Sequence, residues 1–506
     1  MSNHKWLVLF LVHTEFHAKS NTNESNYIDL TNEKFYKQVL YNLKYSRPDE
    51  DMEVVVLNTI LDRTKTPARY TVYVNHLKNN WFSLVDFHLP ENFEIQDKNN
   101  LAFLFTAVKN KYAHDKVIIF TFGHGSAFGI FSYLPDNQNI SHFYRLAGRN
   151  ISLNPVIPEN NGIQDNLDFL NNKFSYHNIY SFPNEINSNS LITGENNLIK
   201  IFNQDVRPQN VDYNTTVLTD TGLTQINSTA GGGNTSNIRI TSNEDIAYAI
   251  SASFGKVDFI IFNNCVMQNV YAQYAFKDVT DYLIAPQTGI TKPGFNLKNL
   301  IGIIRKNKNS SHELISQAIL EDFKNTQGLS AADISLLQLY AVIAIKLGDA
   351  YKKYVEILQE IKKTLMANLA KDDEFDEKID DSLRLCYPYE FNTNTGKTMI
   401  DLYQFISTEK MQQIPEFYAV KTKLEKYISQ DCSSYIGKNI FNQNGAVYDD
   451  QKTSGLCIYF PRNYNSINDI LNPFYTSENY SSAFDQVVKW EEFIGLYLSR
   501  RKPDAG

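Results

Sequence analysis

The chain reads as an α/β protein: a mostly parallel central sheet with helices on both faces, plus a helix-rich C-terminal region. Three observations predict this. Apolar runs of strand length recur at residues 6–12, 53–61, 117–122 and 257–262. Such runs, without polar alternation, are what parallel strands buried on both faces require. Segments of helical spacing lie between them, at 34–45 and 101–111, and supply the crossovers that parallel pairing needs. The 506 residues exceed what one core usually holds, so a first unit, 1–328, and a second region, 329–506, are expected. The second is able to add a strand to the first.

Each element follows from its residues. The run 6–12 is short and is closed by His13, Glu15 and His17; it lacks the cationic start and cleavage site of a signal peptide, so it is read as the first core strand. In 34–45, Phe35, Val39, Leu40 and Leu43 lie near helical spacing, and in 101–111 Leu101, Leu104, Phe105 and Val108 share a face. Residues 53–61 and 117–122 are the second and third strands. From 135 to about 243 the chain is rich in Asn, Ser and Thr and includes Gly231-Gly-Gly233. This reads as an insertion or loop, with short strands at 198–202 and 237–241. The sheet resumes with a strand at 257–262, a helix at 266–276 and a strand at 281–285. Helices are expected at 297–305 and 312–323. The stretch 330–369 reads as two helices broken near Gly348, with Leu336, Leu337, Leu339, Val342, Ile343 and Leu347 as bundle core. The mixed-charge run 371–381 reads as a solvated helix or loop. Helix, strand and helix follow at 398–406, 456–460 and 484–498.

Composition narrows the function. Hydrophobic residues at 42% and charged residues at 21% fit a globular chain. The net charge of −8 and the absence of a dense basic stripe argue against a nucleic-acid partner. No run approaches a membrane span, so no membrane partner is expected. Four cysteines without CxxC spacing point to free thiols rather than a zinc site, as in a reducing compartment. The chain as it stands is expected to be cytoplasmic, or exported if a leader has been removed, and monomeric.

Two strand ends carry reactive side chains. The run from Lys116 ends in His124-Gly125, and the run from Val257 ends in Cys265. Parallel strands deliver such residues to one carboxyl edge. An imidazole there would take the thiol proton and return it to a leaving amine. A helix starting just after Cys265 would favour the thiolate. The backbone N–H groups of Gly125 and Cys265 are candidate oxyanion donors. Taken singly, a Cys at a strand end is usually core, and a His before Gly is usually a loop residue. Cys386, Cys432 and Cys457 read as structural, and His13 and His17 lack a third metal ligand. No GxSxG elbow, P-loop or GxGxxG fingerprint is present.

Order and context strengthen the pair. Phe122-Gly-His124-Gly125-Ser126, Phe262-Asn-Asn-Cys265-Val-Met267, Leu329-Ser-Ala-Ala-Asp-Ile-Ser335, Met399-Ile-Asp401-Leu-Tyr-Gln-Phe405, Ser454-Gly-Leu-Cys-Ile-Tyr-Phe-Pro461 and the terminal Trp490-Glu-Glu-Phe occur in that order. Together with the opening Lys5-Trp-Leu-Val-Leu-Phe-Leu they resemble the clostripain-like cysteine peptidases of the caspase-like superfamily, from end to end. The resemblance implies a caspase-like α/β/α sandwich and an acyl-enzyme route of peptide hydrolysis. It implies His124 as general base and acid, Cys265 as nucleophile, and protein or peptide substrates. No cofactor is expected; calcium enters only through the resemblance, since no EF-hand loop is present.

The chain also departs from the family pattern. The family's Asp two residues before the cysteine, which helps bind a basic P1 side chain, is Asn263 here. A neutral amide offers no charge-assisted bond to Arg or Lys. The segment 282–294, expected to line the same pocket, holds Gln287 and Lys292 and no acid. The expected P1 is therefore not Arg or Lys: a neutral polar residue, or an acidic one paired with Lys292. The alternative is that Lys292 faces solvent and an acid from the insertion completes the pocket. Gly123 replaces the family's Asp before the histidine, and Ala127 replaces its second glycine. His124 and Cys265 lie 141 positions apart (265 − 124), and the polar segment between them suits self-cleavage, with Lys173, Lys200, Arg207 and Arg239 as basic candidates. The rival reading of the whole chain is a catalytically inactive binding or scaffold protein that keeps the fold.

Overall fold

The computed structural model describes residues 4–14, 39–40, 42–62, 69–78, 81–87, 97–127, 129–133, 238–264, 266–287, 294–326, 341–386, 399–436, 454–460 and 482–501, with isolated positions at 89, 93 and 95. Its strands are β1 (Trp6–Thr14), β2 (Met52–Asp62), β3 (Arg69–Lys78), β4 (Trp81–Leu84), β5 (Lys116–Phe122), β6 (His124–Ser126), β7 (Gly129–Tyr133), β8 (Ile238–Ser242), β9 (Val257–Asn263), β10 (Thr280–Pro286), β11 (Ala341–Lys346), β12 (Met399–Asp401), β13 (Cys432–Ile436) and β14 (Cys457–Tyr459).

Nine of these form one sheet in the order β13-β11-β10-β9-β5-β1-β2-β3-β4. The centre, β10-β9-β5-β1-β2, is parallel throughout. Both margins are antiparallel: β3 and β4 on one side, β11 and β13 on the other. Trp6 to Val12 are all buried, which explains why β1 has no polar alternation: it is covered on both faces. Ring contacts show the two covers. Phe259 packs against His312 at 5.1 Å, while Phe262 packs against Phe276 at 5.5 Å. Positions 259 and 262 fall on opposite faces of one strand, so the helix His312–Thr326 lies on one side and the helix Val270–Phe276 on the other. Lys98–Lys111, opened by Asp97 capping the N–H groups of Asn99 and Asn100, packs beside Asn243–Ser253. The result is the mostly parallel α/β sandwich that the apolar runs predict.

Where they are described, the expected strands and helices up to residue 326 match within a few residues; Phe35 and the start of the helix expected at 34–45 lie outside the described residues. β3, β4, β6, β7 and the helix Asn243–Ser253 lie outside the sequence reading; β3 and β4 form a hairpin at the sheet margin, where one face needs little apolar cover. The helix expected from 266 begins at Val270. The expected strand at 198–202 lies outside the described residues, as do Leu336, Leu337 and Leu339.

The C-terminal region differs more. Residues 341–346, read as bundle core, form β11, and Val342 and Ile343 sit inside the sheet. A short, uniformly apolar run has no period to separate strand from helix; here its β-branched content decides. The break at Gly348 is real, with φ 72, and the helix Asp349–Lys371 starts just after it. In the segment 398–406, β12 precedes a short helix, Leu402–Ile406. The mixed-charge run enters the helix Phe375–Leu385, whose Asp380 is buried and paired with Arg384 and Arg501. The last helix is two, Ala483–Val488 and Trp490–Arg500, separated by Lys489 at φ 55. The helix Pro415–Asp431 went unread, although Phe417, Val420, Leu424 and Tyr427 carry its spacing.

These elements join the main core. Tyr351 Oη donates to Val270 O at 3.0 Å, Tyr354 stacks on Tyr427, and Trp490 Nε1 donates to Tyr459 O at 2.8 Å. Gly455 packs directly on β11: its φ is 82, and a Cβ there would lie 2.8 Å from Ile343 Cγ2. Gly455→Ala is therefore expected to destabilise the fold by on the order of 2 kcal/mol. A lower urea midpoint with an unchanged slope is the measurement that checks it.

Candidate active site

The parallel pair β5–β9 sets the frame. Its register runs from Ile118 opposite Phe259 to Phe122 opposite Asn263. Beyond Phe122 the chain leaves the main sheet. Gly123 adopts φ 140, a conformation that side chains disfavour, and β6 then begins at His124. β6 pairs with β7 and β7 with β8, a small ribbon in which His124 lies opposite Phe131 and Gly125 opposite Ile130. Asn243 Nδ2 ties the turn of this ribbon to the helix Asn243–Ser253 by donating to Ala127 O at 3.0 Å. The departure from the family's Asp at position 123 thus coincides with a backbone that favours glycine. The side chain of His124, Cys265 and Lys292 lie outside the described residues.

The residues flanking position 265 are held from several directions. Thr121 Oγ1 on β5 donates to Asn264 Oδ1 at 2.6 Å, with both residues fully buried. Val266 adopts φ 57 and is buried. Its carbonyl accepts from Asn269 Nδ2 at 2.8 Å. The Gln268 N–H donates to Pro286 O at 2.9 Å, and Asn269 forms a parallel bridge with Cys457. Asn269 Oδ1 caps the next helix by accepting from the N–H groups of Tyr271 and Ala272. This corrects the expected helix start: the helix opens five positions after Cys265 (270 − 265), and its first donors are met by Asn269.

Asn263 and Gln287 have distinct surroundings. Asn263 Oδ1 accepts from the Phe295 N–H at 3.1 Å. Gly294, at φ 71, passes so close that a Cβ would sit 1.9 Å from that oxygen. Position 263 is thereby joined to the far end of the segment 288–293. Gln287 is fully buried and turned elsewhere: its Nε2 donates to Asp401 Oδ2 at 2.7 Å and to Cys457 Sγ at 3.0 Å. Its amide nitrogen thereby ties the end of β10 to the β12–β14 ribbon.

Asp401 is the buried residue that the motif reading did not single out. Its Oδ1 accepts from the N–H groups of Tyr403 and Gln404 and from Ser454 Oγ; its Oδ2 accepts from the Ser454 N–H and Gln287 Nε2. The legible signal was local: an Asp before a short apolar helix is an N-cap pattern. Its long-range partners leave no trace in spacing.

The other described thiols are structural. Cys386 is buried and donates to Ser382 O, Cys457 accepts from Gln287, and burial pushes the Cys432 thiol well above its usual range. Among the described residues one group has metal-ligand chemistry: Asp258, Asp281 and His312. It lies at the starting ends of β9 and β10, opposite the end that carries Asn263. His312 turns Nε2 to Asp258 at 2.8 Å and Nδ1 to Asp281 at 3.5 Å, and Lys256 pairs with Asp281. Two nitrogens facing different carboxylates, with a lysine on one of them, make an ion-pair clamp between strands.

Comparison with known proteins gives the family. The model of the clostripain family, Peptidase_C11, matches residues 188–497. No curated protein matches. An inactive zymogen C11 protease from Parabacteroides distasonis is similar in structure at 13% identity and a TM-score of 0.48, covering 99% of this chain and 100% of that one. A secreted C11 cysteine protease from Bacteroides thetaiotaomicron, solved with an irreversible peptide inhibitor, is similar at 12% identity and a TM-score of 0.49, over 96% and 99% of the two chains. The family is one of cysteine peptidases, which are hydrolases. The chain belongs to the clostripain family. No helix among the described residues is long and apolar enough to cross a membrane.

Asp401→Ala removes a helix cap and strands the donors of Ser454 and Gln287. It is expected to cost on the order of 3 kcal/mol, read as a lower thermal midpoint. Asp401→Asn, which keeps one acceptor oxygen, is expected to lose less.

Proposed function

We propose that the chain cleaves peptide bonds through a dyad of His124 and Cys265. The observation that carries this reading is the β5–β9 register: each residue follows, by two positions, a member of the last pair in the parallel ladder, Phe122 and Asn263. His124 takes the thiol proton. The thiolate attacks the scissile carbonyl carbon, and the oxyanion is met by the N–H groups of Gly125 and Cys265. The imidazolium returns its proton to the leaving amine, giving a thioester. Water, deprotonated by His124, then releases the acid and the free thiol. The substrates are proteins or peptides, met by a monomer without a cofactor, and the long polar segment 135–243 is the place for self-processing.

The reading extends to P1. Phe295 N–H can only donate, so the Asn263 amide is fixed with its oxygen toward Phe295 and its NH2 group on the other side. A neutral amide at this position offers no charge-assisted bond to Arg or Lys and suits a neutral polar P1 side chain. An acidic P1 would gain further from Lys292.

An acyloxymethyl ketone probe tests the chemistry. Wild type is expected to be labelled at Cys265, seen by mass spectrometry, and both His124→Ala and Cys265→Ala to lose labelling; an unlabelled wild type would leave an inactive scaffold. Wild type incubated beside Cys265→Ala tests self-processing, and identical fragment patterns count against it. For P1, Asn263→Asp keeps the acceptor for Phe295 and adds charge. It is expected to raise kcat/KM on Arg and Lys peptides, relative to neutral ones, by on the order of tenfold or more. A wild type that already prefers Arg or Lys would refute the P1 assignment.

A further inference from the structure

Val266 is the unusual backbone of this region. Left-handed residues are ordinarily Gly, Asn or Asp, whereas a β-branched side chain at positive φ is a genuine outlier. Val266 holds φ 57 while buried, directly after position 265. Such a conformation persists only where its surroundings over-determine it. The surroundings are specific. The Val266 carbonyl is held by Asn269 Nδ2, and Asn269 is itself fixed by its cap to Tyr271 and Ala272 and by its bridge to Cys457. On the other side Asn264 is fixed by Thr121. Position 265 therefore stands between two anchored neighbours, and the direction in which the chain leaves it is set by the Val266 peptide.

We propose that Asn269 is a positioning residue: its side-chain amide locks Val266 in the left-handed conformation and so orients the backbone at Cys265. The proposal rests on the reading of Cys265 as the nucleophile. A one-residue change of handedness at 266 would rotate the peptide that follows the thiol, moving both the sulfur and the N–H assigned to the oxyanion. Asn269 acts through Val266.

Glycine occupies the left-handed region without help, which makes the test a rescue. Four proteins are compared: wild type, Asn269→Ala, Val266→Gly and the double variant. Each is measured for its rate of inactivation by an acyloxymethyl ketone and for its thermal midpoint. Asn269→Ala is expected to slow inactivation on the order of tenfold, about 1.4 kcal/mol at 25 °C, and to lower the midpoint through the lost cap. Adding Val266→Gly is expected to restore most of the rate while the midpoint stays low, since glycine replaces the lock and not the cap. A merely structural Asn269 would leave rate and midpoint lowered together in the double variant, and that result overturns the proposal. So does an Asn269→Ala protein as fast as wild type. If wild type itself resists the ketone, the peptidase chemistry fails. Alkylation of Cys265 by iodoacetamide, which needs no catalysis, then decides the positioning role by the same rescue pattern.

Discussion

The parallel pairing of β5 with β9 is the constraint on which the rest depends. Parallel ladders bring like ends together, so the residues after Phe122 and Asn263 emerge at one edge whatever the loops do. The pair is locked near that edge by a side-chain bond, Thr121 to Asn264, inside a fully buried environment. There a hydrogen bond has no water to compete with, and a lost partner is expensive. A one-residue slip would put Thr121 and Asn264 out of reach and turn every side chain of β9 to the other face. Phe259 and Phe262 would then exchange the helices they pack on. Register, helix packing and the position of the reactive edge are therefore one commitment.

Behind that edge lies a second tier of polar contacts that reaches into the C-terminal region. Asp401 is taken out of water, and a buried carboxylate is tolerable only when donors surround it. Tyr403, Gln404, Ser454 and Gln287 provide them. One of the four, Gln287, directly follows β10; another, Ser454, starts the segment whose Gly455 carbonyl accepts from Gln273 Nε2 and whose Cys457 bridges Asn269. The chain after position 265 is thus supported by residues nearly two hundred positions away. Such a network gives a specific geometry rather than a large net stability, because each buried polar group must first be stripped of water.

The legible part of the fold was the part whose residues report their surroundings locally. β1, β5 and β9 are buried on both faces and so are apolar without interruption; the helix Lys98–Lys111 wears one apolar stripe and a cap. β11 carries the same uninterrupted signal, but its neighbours are helical and its period is mute. β3 and β4 hide for the opposite reason, since a margin strand tolerates polar residues. At the candidate site, the strand ends were visible in their apolar runs. The late start of the helix at Val270 was not, because Val266 and Met267 suit a helix by composition, and only Asn269 betrays the cap. Gln287 and Asp401 meet across 114 positions, a distance over which no spacing rule speaks.

The two departures from the family pattern at the strand ends differ in physical kind. At 123 the backbone stands at φ 140, where an Asp would be strained, so glycine there belongs to the path of the chain into the β6–β7 ribbon. At 263 the backbone is ordinary strand, and the side-chain oxygen accepts from Phe295 N–H while Gly294 leaves room for it. An Asp carboxylate could accept that same bond in the same space. The contact with Phe295 therefore does not by itself separate Asp from Asn. What the exchange changes is charge and the presence of an NH2 group at the edge where β9 ends. The difference at 123 is thus one of backbone path, and the difference at 263 is one of charge and hydrogen-bonding character.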